Sequence, residues 1–270
     1  MFLSTKADVV SAGSSVSDTL YDQLVKHASE VLAEIHDYAV DTTPQLKFDV
    51  NGKGWAHIYA VGLFASLVEV SGSCIALARA RAYVGIAILA RTSLEAFVDL
   101  KSLLAKDEYV HNLEVKRCKE WLKILGDANG NENPYLAVIS DDKDLDATLK
   151  MFKADLARAK AAGGKDLGAR DRFVSAGHEQ DLILYNFLCT EAHNNGRALL
   201  RRHLDTNKDP PELVMYDSEP KFVMSSLSTV STILLNAVDL MHQQFAREKL
   251  DLASLTAKLD QLNERLTRSG

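Results

Sequence analysis

Residues 55–80 and 82–105 form two consecutive stretches with apolar side chains almost all the way round a helical wheel. Such helices lack a polar face to give to water, so they sit centrally and need other helices around them. Helical periodicity elsewhere supplies that cover. Leu20, Leu24, Val31 and Ile35 form a stripe on a first helix capped by Ser17 and Asp18 and running to about Val40. A fourth helix, capped by Asp107, ends near Leu125, and a charged one runs from Ser140 to about Ala162. A helix over 179–204 follows, then an irregular connection in which Leu213–Tyr216 forms a short extended piece. A last helix starts near Pro220 and continues almost to Arg268. With only 5 prolines and 14 glycines in 270 residues, the expected fold is an all-α bundle of about seven or eight helices with a long C-terminal helix. The expected organisation is a tail over 1–15, one bundle domain over 16–245 and a C-terminal extension over 246–270.

Leu252, Leu255, Leu259, Leu262 and Leu266 repeat at 3-4-3-4 spacing, the seam of a short coiled coil. Two readings stay open: self-association into a dimer, or packing back onto the chain's own bundle. Residues 58–78 carry only Glu69 as a charge, but small and hydroxylated residues are frequent there. A carboxylate in mid-membrane costs roughly 2.5–3.5 kcal/mol, so a core helix is expected and no membrane contact. The net charge of -6 argues against a broad electrostatic grip on nucleic acid. Cys74, Cys118 and Cys189 are odd in number and widely spaced. They read as reduced thiols of a cytoplasmic protein.

One apolar segment holds an anomaly. In "LARTSLEAFVDL", Arg91 and Glu95 lie about 40° apart on the wheel, in the sector of Val84, Ile88 and Val98. Buried charges are costly unless further hydrogen bonds complete them, so a second polar segment should meet this pair. On a continuous helix over 179–204, Asn186, His193 and Arg197 form a polar strip, with Tyr185 at its edge. Two readings compete: a core network that fixes helix register, or a pocket with His193 as acid/base and Arg91 or Arg197 binding an anion. No metal or cofactor is expected, since paired Glu-x-x-His segments, Walker A and G-x-G-x-x-G are missing.

Over residues 55–205, "LARTSLEAFVDL" followed by "YNFLCTEAHNNG" resembles the bacterial helical family known as domain of unknown function 5677. Its R-x-x-x-E helix and later Tyr and His correspond to Arg91, Glu95, Tyr185 and His193. "RALLRRH", with Arg197 and His203 separated by five residues, is similar to the signature of HEPN domains, with Ala198 where those domains carry a polar residue. That resemblance implies metal-independent RNA cleavage at a site shared across a dimer, with arginine on the phosphate and histidine as acid/base. Basic residues at a helix C-terminus also arise because they favour the dipole. The expectation is a cytoplasmic homodimer. It is either a HEPN-like ribonuclease or defence effector using His193 or His203 with Arg197 and Arg91, or a non-catalytic interaction or sensor module that binds a protein partner.

Overall fold

The computed structural model describes residues 16–48, 54–130, 134–140, 143–192, 195–205, 207–213, 220–246 and 249–268. The expected tail over 1–15, His193, Asp141–Asp142 and residues 214–216 of the extended piece lie outside the described residues, as does the side chain of Arg197. The described chain is all-α apart from one small hairpin. Its helices are α1 (Val16–Thr42), α2 (Trp55–Arg79), α3 (Val84–Ala105), α4 (Val110–Asn129), α5 (Ala137–Ser140), α6 (Leu145–Ala161), α7 (Ala169–Ala176), α8 (Leu182–Ala192), α9 (Gly196–His203), α10 (Pro220–Phe245) and α11 (Ala253–Arg268). The hairpin pairs β1 (Leu204–Asp205) with β2 (Glu212–Leu213), antiparallel.

Eleven helices among the described residues exceed the seven or eight expected, because several long elements divide. The expected 179–204 helix stops at Ala192 and restarts at Gly196. Asn194, Asn195 and Gly196, weak helix formers and strong turn residues, stand at that point. The expected 220–268 helix divides at 246–252, where Asp251 Oδ1 accepts the backbone N–H of Ala253 at 3.1 Å and starts α11. α1 begins at Val16, which places Ser17 and Asp18 inside its first turn.

The chain clusters into two compact units. The first contains residues up to 48, 61–101 and 180–270. There α1 packs on α10, and α11 packs on both. Val25, Ala28, Leu32, Ile35 and Ala39 give α1 a continuous buried stripe, met by Leu227, Leu234, Val238 and Met241 of α10. Leu259 and Leu262 of the leucine seam are buried in this unit. The second unit contains residues 49–60 and 102–179, with α4 packed on α6. Cys118, Leu125, Leu145, Leu149 and Phe152 form its core cluster.

α2 and residues 221–245 are each long and apolar enough to cross a membrane by length and composition. The most apolar window of the second is 67% buried; that of α2 is 33% buried. α2 is therefore less enclosed than a helix apolar all round was expected to be. Its exposed positions include the small residues Gly62, Ala65 and Ala76, together with Trp55 and Ile58 near its start.

Three helices end in the same backbone motif. After α6, Gly163 donates to the Lys160 carbonyl and Gly164 to Ala159; after α7, Gly177 donates to Val174 and His178 to Phe173. After α2, Arg81 donates to Ala78 and Ala82 to Leu77. Glycine holds the left-handed position at the first two ends, with φ of 92° and 68°. At the third, Arg81 holds it with φ 55°, the one non-glycine with positive φ among the described residues. An L side chain there costs roughly 1–2 kcal/mol. Arg81 Nη2 donates to Asp22 Oδ2 at 2.8 Å, but both side chains are largely exposed. Such a pair returns only about 0.2–1 kcal/mol.

His242 of α10 is 3% exposed, and neither ring nitrogen makes a hydrogen bond among the described residues. Burial pushes its pKa below the ordinary 6.5, with Asp239 pulling weakly the other way. The unfolded chain therefore binds the proton more readily, so stability rises with pH through this window. Thermal midpoints should be level above about pH 6.5 and fall below it until the folded-state pKa is passed. His242→Leu should flatten that fall; a wild-type profile level from pH 7 to 5 would refute the assignment.

Candidate functional site

The first unit brings Arg91 and Glu95 of α3 against Tyr185 of α8. Arg91 Nε lies 3.0 Å from Glu95 Oε1, one helical turn on. Arg91 Nη2 donates to the Tyr185 hydroxyl at 3.5 Å, a long contact, and the guanidinium stands 5.5 Å from the centre of the Tyr185 ring. The Arg91 and Glu95 side chains are 23% and 24% exposed, so the cluster reaches solvent at its edge. Burial pulls the Arg91 pKa down, but the Tyr185 hydroxyl and the Glu95 charge outweigh it, and the net shift is upward. The Tyr185 pKa is raised, first by burial and then by a hydrogen bond with Cys189, against the lowering effect of Arg91. Both groups keep their protons at neutral pH.

Of the expected strip, only Asn186 has a described side chain; His193 and the side chain of Arg197 lie outside the described residues. Asn186 is exposed, and the buried face of α8 is marked by Leu188 and Glu191. Residues 182–189, "LILYNFLC", carry Asn186 as their one strongly polar side chain, so the expected orientation of α8 rested on a single residue there. The break after Ala192 also removes the shared helix that would align Asn186 with Arg197. Arg197 and His203 are six positions apart on α9. His203 is partly buried at the end of α9.

The basic end of α9 does hold a device that sequence reading missed. Arg202 is buried; its Nη2 donates to the Glu191 carbonyl at 3.1 Å, and its Nε lies 4.0 Å from Glu191 Oε2. The Glu191 carbonyl is in the last turn of α8, where it has no helical partner. Arg202 thus caps α8 from α9 and neutralises a buried carboxylate at once.

The second unit contains a denser cluster, also missed. The Tyr59 hydroxyl donates to Glu114 Oε1, and Arg117 donates to the same carboxylate through Nε at 3.2 Å and Nη2 at 2.6 Å. Arg117 Nη2 is 3.7 Å from Asp155, which also pairs with Arg158 at 3.0 Å. The Arg117 guanidinium stands 5.1 Å from the Phe152 ring centre. Glu114, Arg117, Asp155 and Arg158 border a cavity of about 170 Å³ that Trp55 and His111 also line. Burial pushes the Glu114 carboxyl up, but bonds from Arg117 and Tyr59 outweigh it and hold it below the usual carboxylate range. Burial, then Glu114, pushes the Tyr59 phenol well up. Glu114 and Arg117 look like an ordinary (i, i+3) surface pair in sequence; only the packing of α4 on α6 adds Asp155 and Phe152.

One Glu-x-x-His segment, Glu108 to His111, stands at the start of α4. Among the described residues no group of three His, Cys, Asp or Glu is placed to hold a metal ion.

No curated protein and no solved structure matches the chain. A match to the family described as Family of unknown function (DUF5677) covers residues 57–211. The match takes in Arg91, Glu95 and Tyr185, the residues that meet in the first unit, and spans more than half of the chain. The chain belongs to the family of unknown function DUF5677.

Proposed function

We infer that the protein is a helical interaction or sensor module, and that Arg91, Glu95 and Tyr185 are a structural seam between α3 and α8. The observation that carries this reading is how Arg91 is engaged. Its guanidinium faces a carboxylate one turn along its own helix and the hydroxyl and ring of Tyr185. An arginine that binds a transferring phosphate keeps donors turned to the ligand instead. An ion pair of this kind contributes about 0.3–0.5 kcal/mol and the ring contact about 0.5–1. Arg91→Ala should therefore lower stability by about 1 kcal/mol, read as a shift of a few degrees in thermal midpoint.

A HEPN-like, metal-independent ribonuclease or defence effector is the second reading. It is favoured by the quarter exposure of Arg91 and Glu95, which leaves the cluster open to a ligand. In this reading the protein acts in the cytoplasm as a homodimer on RNA. RNA degradation, and growth inhibition on expression, compared for wild type, His193→Ala and His203→Ala, decide between the two. A folded, inert wild type supports the module. Activity abolished by either histidine substitution supports the ribonuclease. Activity that survives both removes the proposed catalyst.

A further inference from the structure

The corner between α2 and α3 and the facing side of α1 enclose a groove of about 510 Å³, within the range of small-molecule sites. It shares no residue with the Arg91 cluster, and a ligand there would bind whether that cluster is a seam or a catalyst. Val25 and Ala78 are buried along it, and the part-buried ring of Tyr83 supplies a flat face. Lys26, Arg79 and Arg81 line it against Asp22 and Glu30. Lys26 pairs with Glu30 at 3.8 Å and Arg81 with Asp22 at 2.8 Å, while Arg79 has no acidic partner among the described residues. The groove therefore carries one cation in excess.

Arg81 is the telling residue. Among the described residues the same helix-ending motif occurs twice more with glycine in the left-handed position, and only at this groove does a bulky residue occupy it. The exposed bridge to Asp22 does not repay the strain of that conformation. Strain of this kind collects at sites that use the side chain. What the arginine gains in exchange is a guanidinium set beside a cavity of about 510 Å³, over a carboxylate that a ligand's anionic group can displace cheaply.

We propose that this groove binds a small aromatic anion (an aryl sulfonate, carboxylate or phosphate), with Arg81 and Arg79 on the anionic group and the flat body along Tyr83, Val25 and Ala78. Asp22 holds Arg81 in place when the groove is empty and competes with the incoming anion.

The test is fluorescence titration of the full chain with 1-anilinonaphthalene-8-sulfonate and with its neutral relative N-phenyl-1-naphthylamine, alongside thermal melts. Wild type should bind the sulfonate saturably at one site and the neutral compound more weakly. Arg81→Gly should weaken sulfonate binding roughly tenfold while leaving the thermal midpoint unchanged or higher, because glycine suits the backbone. Arg79→Ala should weaken it too, and Asp22→Asn should tighten it. Equal binding of the two compounds, or sulfonate binding indifferent to Arg81→Gly, overturns the proposal. A lowered midpoint for Arg81→Gly also overturns it, since Arg81 would then be kept for stability alone.

Discussion

Leu262→Ala should destabilise the chain by about 3 kcal/mol, within the 2–5 kcal/mol typical of emptying a buried leucine site. In thermal midpoint that is roughly 6–12 °C. Leu262 is fully buried and Leu259 nearly so, on the face that α11 turns to α1 and α10. Polar anchors fix the register of that packing: Ser228 donates to Asn263 Oδ1, and Lys258 pairs with Glu34. Lys258→Ala should cost under about 1 kcal/mol, because that pair is half-exposed. A coiled-coil seam facing a second copy predicts a different pattern: Leu262→Ala would then lower the sedimentation coefficient by releasing a subunit, at little cost to the stability of each chain. Melting and sedimentation of one variant separate these outcomes.

Glu114→Ala should cost about 2–3 kcal/mol. Removing one member of a fully buried pair costs about 3–5 kcal/mol; here Glu114 is 14% and Arg117 33% exposed, so solvent recovers part of the loss. The substitution strands the Tyr59 hydroxyl and leaves Arg117 with only the more distant Asp155. Tyr59→Phe, which removes a single hydrogen bond to a charged group, should cost about 1.5 kcal/mol. The pH dependence carries a sign. The folded-state pKa of Glu114 is depressed, so its contribution is complete above the unfolded value of about 4.5 and is lost as pH falls through the lower folded value. The gap between wild type and Glu114→Ala should accordingly close on acidification. A gap that is constant from pH 7 to pH 3 would show that Glu114 acts through packing rather than charge.

The two sites were unequally legible for reasons that differ residue by residue. Arg91 and Glu95 stood out because two charges in an apolar wheel violate the pattern around them, and that violation implied a polar partner from elsewhere. Tyr185 supplies it from 94 residues away. Its helix was oriented by the strip through Asn186, which the structure leaves exposed, while Leu188 and Glu191 are buried; Glu191 and Arg202 therefore went unnoticed as a pair. Glu114 and Arg117 violated nothing. On an amphipathic helix, charges at (i, i+3) are the ordinary content of a solvated face, and no sequence pattern marks the one such pair that a second helix covers. Arg81 was hidden in the opposite way: an arginine between two helices signals nothing until its backbone conformation is known.

The sequence by itself determined the helical class, the charged pair in the third helix and the family, because these rest on local periodicity and on residues close together in the chain. The tertiary structure decided where long helices break, which face of α8 is buried, that Leu259 and Leu262 are the buried members of the C-terminal leucine seam, and which ordinary ion pairs become enclosed. Those outcomes depend on burial, and burial is a property of what lies opposite a residue in space, which its neighbours along the chain do not specify.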